Sequence, residues 1–139
     1  MLTRIFDPLS KADAEWLRLL TMPGPRPNVL VDCSRPVLMP VVMRLAALST
    51  GPVTVSQIPG ELCLPRHGTG TVIVSDASAL TLQQQVDLYD WLSDRGRTVQ
   101  VITVTSTPLW ALVERGQFLE GLFHRLDVVH VCATVRALA

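Results

Sequence analysis

Lysine is almost missing from this chain. Of its twelve basic residues only Lys11 is a lysine, the rest being arginines, and twelve acids cancel them. Lys11 lies ahead of the first strand that the pattern predicts, so lysine chemistry in the body of the domain is excluded. With no net charge there is no summed field of the kind that attracts nucleic acid or an anionic membrane surface. The three cysteines, Cys33, Cys63 and Cys132, are an odd number without a C-x-x-C spacing. Neither a disulfide framework nor a zinc knuckle is indicated, and a reducing cytoplasm is the simpler compartment. No stretch of about 18 uncharged apolar residues exists to cross a bilayer. The N-terminal MLTRIFDPLSKADAEW carries acids where a signal peptide needs an apolar core.

What is present is apolar and regularly punctuated. A chain of 139 residues, 48% hydrophobic, fits one domain with a core that needs no covalent staple. Ser10 with Asp13 three residues on, followed by Ala12, Trp16, Leu19 and Leu20, predicts an amphipathic helix over 10–21. Pro23–Pro27 ends it. Short β-rich runs at 28–33, 53–57, 71–75, 99–104 and 128–132 read as strands buried on both faces. Between them, helices are predicted from Pro36 to about Leu48, from Thr81 to about Ser93 with Leu82, Val86, Tyr89 and Leu92 on one face, and over 108–115 and 117–126. Alternating strands and helices imply parallel βαβ units, hence an α/β three-layer sandwich with a five-stranded parallel sheet.

One segment is more specific than its class. TVQVITVTSTPLWALVERGQFLEGLFHRLDVVHV (98–131) resembles the AAA+ ATPase core of sigma-54-dependent transcription activators. There a strand ending in a polar sensor precedes L-x-x-L-V-x-x-G-x-F-R-x-D-L-x-x-R-L-x-V. Leu109, Leu112, Val113, Gly116, Phe118, Leu122, Arg125, Leu126 and Val128 match in register. Upstream, TVIVSDASAL (71–80) falls at the family's Walker B strand, GPVTVSQIPGEL (51–62) resembles its GPFVAVNCAALPE segment, and VLVDCSRPVLMPVVMRLAAL (29–48) stands where it carries VLIxGESGTGKELVARAIH. The resemblance covers most of residues 28–131. It implies a P-loop NTPase-like core within a single domain spanning 1–139.

The chemistry implied by that resemblance is largely replaced. A Walker A loop cradles phosphates with backbone N–H groups freed by glycines, while a lysine reaches the terminal phosphates. The vestigial nucleotide site here is Asp32, Cys33, Ser34, Arg35, Met39, Ser75, Asp76 and Ser106, with Met39 at the lysine's place and Pro40 after it. The Walker B acids, one for magnesium and one to orient water, become Ser75 and Asp76. Asp76 reads more simply as a turn residue closing the strand, and Ser106 stands at the sensor position. Leu119 and Gly121 replace an arginine and an acid of the trans-acting segment. This leaves Arg125 either an ordinary surface arginine or a residual contact across a subunit interface.

The residues Glu61–His67 leave no room for the GAFTGA-type loop, and the chain ends just past the fifth predicted strand, without the helical lid or a DNA-binding helix-turn-helix. The expectation is therefore a non-enzymatic regulatory or interaction module that has no catalytic residue, ATP and magnesium being an unlikely cofactor pair. Its partner would be an intact sigma-54 activator subunit or its own copies, with no direct nucleic acid and no membrane. The alternative is a residual nucleotide-binding switch that controls oligomerisation. A third reading is a small α/β enzyme using Cys33 or Asp76. Cys33 with His67 or His124 as base, or Asp32, Cys33, His67 and His130 as metal ligands, lack recognised spacings. Arg35 before a proline-started helix could draw a loose anion. Trp16, Trp91 and Trp110 are packing residues unless exposed, when they become interface anchors.

Overall fold

The computed structural model describes residues 4–6, 20–21, 25–49, 51–66, 69–95 and 99–133. The five expected strands form as β2 (Val29–Asp32), β3 (Val53–Gln57), β4 (Gly70–Ser75), β5 (Val99–Thr105) and β6 (Val129–Ala133). A sixth strand, β1 (Arg4–Phe6), joins them, and the order across the sheet is β1-β6-β2-β5-β4-β3. All pairs are parallel. The six-stranded sheet corrects the count of five, and β1 precedes Lys11. A three-residue strand falls below the length at which alternation can be recognised. It forms because β6 offers an open edge, where Arg4, Ile5 and Phe6 pair with Val131, Cys132 and Ala133.

Strands β4 and β5 are buried along their whole length because helices cover both sides. On one face, α1 (Leu38–Leu48) sets Val41, Val42 and Leu45 against Val31, Ile73, Ile102 and Val104, with Leu20 completing the cluster. On the other, α2 (Leu82–Arg95), α3 (Leu109–Glu114) and α4 (Glu120–Leu126) cover Leu30, Val72, Val74, Val99 and Val101. Only Leu20 and Thr21 of the helix expected over 10–21 are described, and both are helical; the rest of it, Trp16 included, lies outside the described residues.

The helix expected from Pro36 starts as a 3-10 turn, Arg35–Val37, and becomes α-helical at Leu38. Helix α2 opens with a reciprocal cap: Gln84 N–H donates to Thr81 Oγ1, and Thr81 N–H to Gln84 Oε1, both at 3.1 Å. This is a T-x-x-Q capping box. Its buried face differs from the expected one. Leu82 is 65% and Val86 37% exposed, whereas Gln85, Leu88 and Leu92 are buried. Gln85 tolerates burial because its amide donates to the Leu80 and Gln117 carbonyls and accepts from Leu119 N–H. A polar residue at a core position misdirects a hydrophobicity pattern by one helical step. Between β3 and β4 the described residues form no helix, and the connection is held by the Trp91 indole N–H on the Pro65 carbonyl at 2.8 Å.

Candidate functional site

The carboxyl ends of β2, β4 and β5 converge on one rim, and most of the expected site residues lie there. Strand β2 ends at Asp32 and the 3-10 turn begins at Arg35, so only Cys33 and Ser34 separate strand from helix. Cys33 N–H binds the Thr105 carbonyl and Val37 N–H binds the Ser34 carbonyl, each at 3.1 Å. The strand-to-helix turn is thus tied to β5 at Cys33 and closed on itself from Ser34 to Val37, with Ser34 extended at φ −74° and ψ 151°. It contains no glycine. Met39, on the first turn of α1, reaches across so that the Ser75 hydroxyl donates to its thioether at 3.8 Å.

Asp76 is the centre of the rim's polar contacts. It follows β4 in the left-handed conformation, φ 62° and ψ 59°, and is only 5% exposed. Ser78 and Ser106 both donate to its Oδ1, at 2.8 and 3.1 Å, and the exposed Arg35 guanidinium stands 3.8 Å from Oδ2. Asp and Asn tolerate this backbone region better than other side chains apart from glycine. A carboxylate that accepts two hydroxyls from flanking loops ties the ends of β4 and β5 together. Asp76 therefore does more than end a strand. Around it Arg35, Pro36, Leu38, Met39, Gln57, Ile58, Pro59 and Ser75 line a cleft of about 380 Å³.

A second cleft, of about 420 Å³, opens between β2, β5 and β6. Asp32, Cys33, Ser34, Thr105, Ser106 and Cys132 line it. Asp32 and His130 meet side by side across β2 and β6, but among the described residues no three His, Cys, Asp or Glu side chains are placed to hold a metal. The Cys33 thiol is pushed up to about 11, mainly by burial, then by Asp32, Asp76 and Cys132. A thiol held protonated is a poor nucleophile. His67 lies outside the described residues, and His124 sits on α4 beside Glu120 and Trp110.

A family model for the sigma-54 interaction domain matches residues 18–134. The chain belongs to that family. Solved structures agree on the fold of this sigma-54 interaction domain. NtrX from Brucella abortus in complex with ATP is similar at 21% identity and TM-score 0.64, over 91% of this chain and 36% of that one. The ADP complex of the same protein gives 20% identity and TM-score 0.64, over 90% and 36%. The P-loop NTPase domain of a sigma-54 activator from E. coli gives 16% and TM-score 0.54, over 84% of this chain and 98% of that one. The chain thus spans about a third of the NtrX length. No curated protein matches its sequence significantly.

Sequence reasoning missed Gln57, Ile58 and Pro59 in the Asp76 cleft, and Ser78 as its partner, because they fall inside segments of this sigma-54 interaction domain that were matched for their frame and not for a side-chain role. Ser78 had a local signal, an Asp-x-Ser spacing in which the side chain two residues on can turn back. Arg125 is exposed, with its guanidinium 4.6 Å over the Tyr89 ring. Trp110 is 43% exposed and leans on Phe123, ring centres 5.2 Å apart. Among the described residues no helix is long and apolar enough to cross a membrane.

Proposed function

We propose that this sigma-54 interaction domain is a non-enzymatic regulatory module, acting by contact with other proteins in the cytoplasm and not by turning over ATP. The observation that carries the reading is the closed, glycine-free turn between Asp32 and Leu38, with Met39 resting on Ser75 and Arg35 facing Asp76. A phosphate cradle needs successive free backbone N–H groups and a cation that reaches inward. Here the Val37 N–H is taken by Ser34, the exposed cation at the turn faces a carboxylate, and a thioether stands where the family's lysine would reach. On this reading the residues present do not fit a magnesium nucleotide held in the family's manner, and no hydrolytic step is assigned to them. The partner is an intact sigma-54 activator subunit, whose assembly the module joins or blocks, or a second copy of this chain. Trp110, exposed on an aromatic support, has the character of an interface anchor.

One observation favours a second reading, a nucleotide-responsive switch: the Asp76 cleft stays open to about 380 Å³ beside an arginine. Thermal unfolding with and without magnesium ATP separates the two. A ligand present at about a hundred times its dissociation constant adds about 2.7 kcal/mol to stability. An unchanged melting temperature is expected for the native chain and for Met39→Lys, since a lysine alone does not open the turn. A saturable upward shift in the native chain, lost in Asp76→Ala, overturns the first reading.

A further inference from the structure

The sheet has two edges, and they are treated differently. At one, β1 covers β6. At the other, β3 is the last strand, with no further strand beside it among the described residues. Exposed edges are ordinarily blunted by lysine, proline, a bulge or a short strand. Strand β3 has none of these: its five residues, Val-Thr-Val-Ser-Gln, are uncharged and run in unbroken register with β4 from Val53↔Thr71 to Gln57↔Ser75.

The direction of its backbone groups is determined by two contacts. Thr71 N–H donates to the Pro52 carbonyl, and Ile58 N–H to the Ser75 carbonyl. Backbone groups alternate sides along a strand, so Thr54 and Ser56 also face β4. Val53, Val55 and Gln57 then turn their N–H and C=O outward. The side-chain faces differ in the same way. Ser56 is buried and hydrogen-bonded to Cys63 N–H at 2.8 Å, whereas Val55, on the opposite face, is 37% exposed. That face continues to Met39, which shares a cleft with Gln57, and one helical turn on to Met43, 64% exposed.

We propose that the β3 edge is a dimerisation surface whose occupant is the β3 edge of a second copy of this chain, paired antiparallel about a two-fold axis at Val55. Such an axis sets Val55 opposite Val55 and Val53 opposite Gln57. The Val55 pair exchanges two bonds and each Gln57 N–H meets a Val53 carbonyl, about four backbone hydrogen bonds in all, because Gly60 stands against the Gln57 carbonyl. The register is self-complementary, as a two-fold interface requires. Because the strand is uncharged, the symmetry brings no like charges together, and Pro52 and Pro59 stand just outside the paired segment. Burial of the two Val55 side chains beside Met39 and Met43 adds the apolar part. The arrangement deepens the self-association named above but does not rest on the loss of nucleotide chemistry, which the ATP melts test separately.

Sedimentation velocity of the full chain, from about 1 µM to about 1 mM, gives the test, since an interface this small associates weakly. A concentration-dependent monomer–dimer equilibrium is expected. Val55→Lys, which sets two ammonium groups face to face, weakens it at least tenfold with an unchanged circular dichroism spectrum. Val55→Pro removes an outward N–H that no ladder bond uses, and gives a monomer even where the lysine variant fails to fold. A chain monomeric over the whole range overturns the proposal. So does association that both variants leave intact, including one lost instead in Trp110→Ala.

Discussion

Replacing Asp76 by alanine removes a buried carboxylate, two hydroxyl contacts and an ion pair, and forces a β-carbon-bearing apolar residue into φ 62°. Hydrogen bonds to a charged group contribute about 1.5–3 kcal/mol each, and the half-buried Ser78 and Ser106 recover part of that from water. The Arg35 pair adds at most about 1 kcal/mol because that guanidinium is 77% exposed. Left-handed backbone costs alanine roughly 1 kcal/mol, while removing the buried carboxylate recovers part of its desolvation cost. The expected loss is about 2–3 kcal/mol, a fall in Tm of roughly 6–12 °C. Asp76→Asn keeps the backbone tolerance and one acceptor and loses about 1 kcal/mol. Asp76→Gly relieves the dihedral but no contact, and falls between them. Urea unfolding of the three variants, with m-values compared, gives the order Asn, Gly, Ala. Equal stability of Gly and Ala refutes the dihedral account, and an Ala loss under about 0.5 kcal/mol refutes the contacts.

The other predictions concern single positions. A β-carbon at Gly70, φ +129°, would stand 2.3 Å from the Pro52 carbonyl oxygen. Gly70→Ala therefore costs about 2–4 kcal/mol by chemical unfolding, and a neutral result refutes the closeness of β3 and β4 there. Cys33, held protonated up to about 11, alkylates at pH 8 roughly a hundredfold more slowly than an ordinary exposed thiol. Mass spectrometry of a short iodoacetamide pulse is expected to find Cys63 labelled first, and equal labelling refutes the burial. The native state keeps the Cys33 proton that an unfolded thiol loses near its ordinary 9.0. Stability is complete below that pH and falls as pH rises from about 9 to about 11. Cys33→Ser flattens this slope, and a slope unchanged by the substitution refutes its assignment.

The fold was legible because its frame is written in apolar residues at regular intervals. The runs at Val29, Thr71 and Val99 are β-rich, bounded by turn residues and buried on both faces, so their strands fall within a residue of their expected ends. Strand β1 was not legible, because three residues carry no period and its pairing depends on an edge made more than a hundred residues later. The face of α2 was misread since Gln85 owes its burial to hydrogen bonds with Leu80 just before the helix and with Gln117 and Leu119, more than thirty residues away. The candidate site was half legible. Its residues come from the family register, which brings Ser75, Asp76 and Ser106 to one rim. That Arg35, Ser78 and Ser106 would all turn to one carboxylate depends on a left-handed dihedral at Asp76, a property no spacing encodes.

The scarcity of lysine and the stability of the rim are two sides of one arrangement. A phosphate-binding loop is held open by glycines at a cost in chain entropy and leaves several N–H groups without protein partners. A bound phosphate offsets part of that cost by accepting from those N–H groups. In this chain the same rim is completed from within: a 3-10 turn closes the backbone, Met39 meets Ser75, and Arg35, Ser78 and Ser106 meet Asp76. On the proposed reading these contacts involve the positions that the family resemblance gives to the lysine, Met39, to the first Walker B acid, Ser75, and to the sensor, Ser106. Restoring one of them, as in Met39→Lys, puts an ammonium group over Ser75 with no anion to meet it. The proposed loss of nucleotide chemistry is therefore cooperative. Its reversal requires the glycines, the lysine and the first Walker B acid together, with Arg35 released from Asp76.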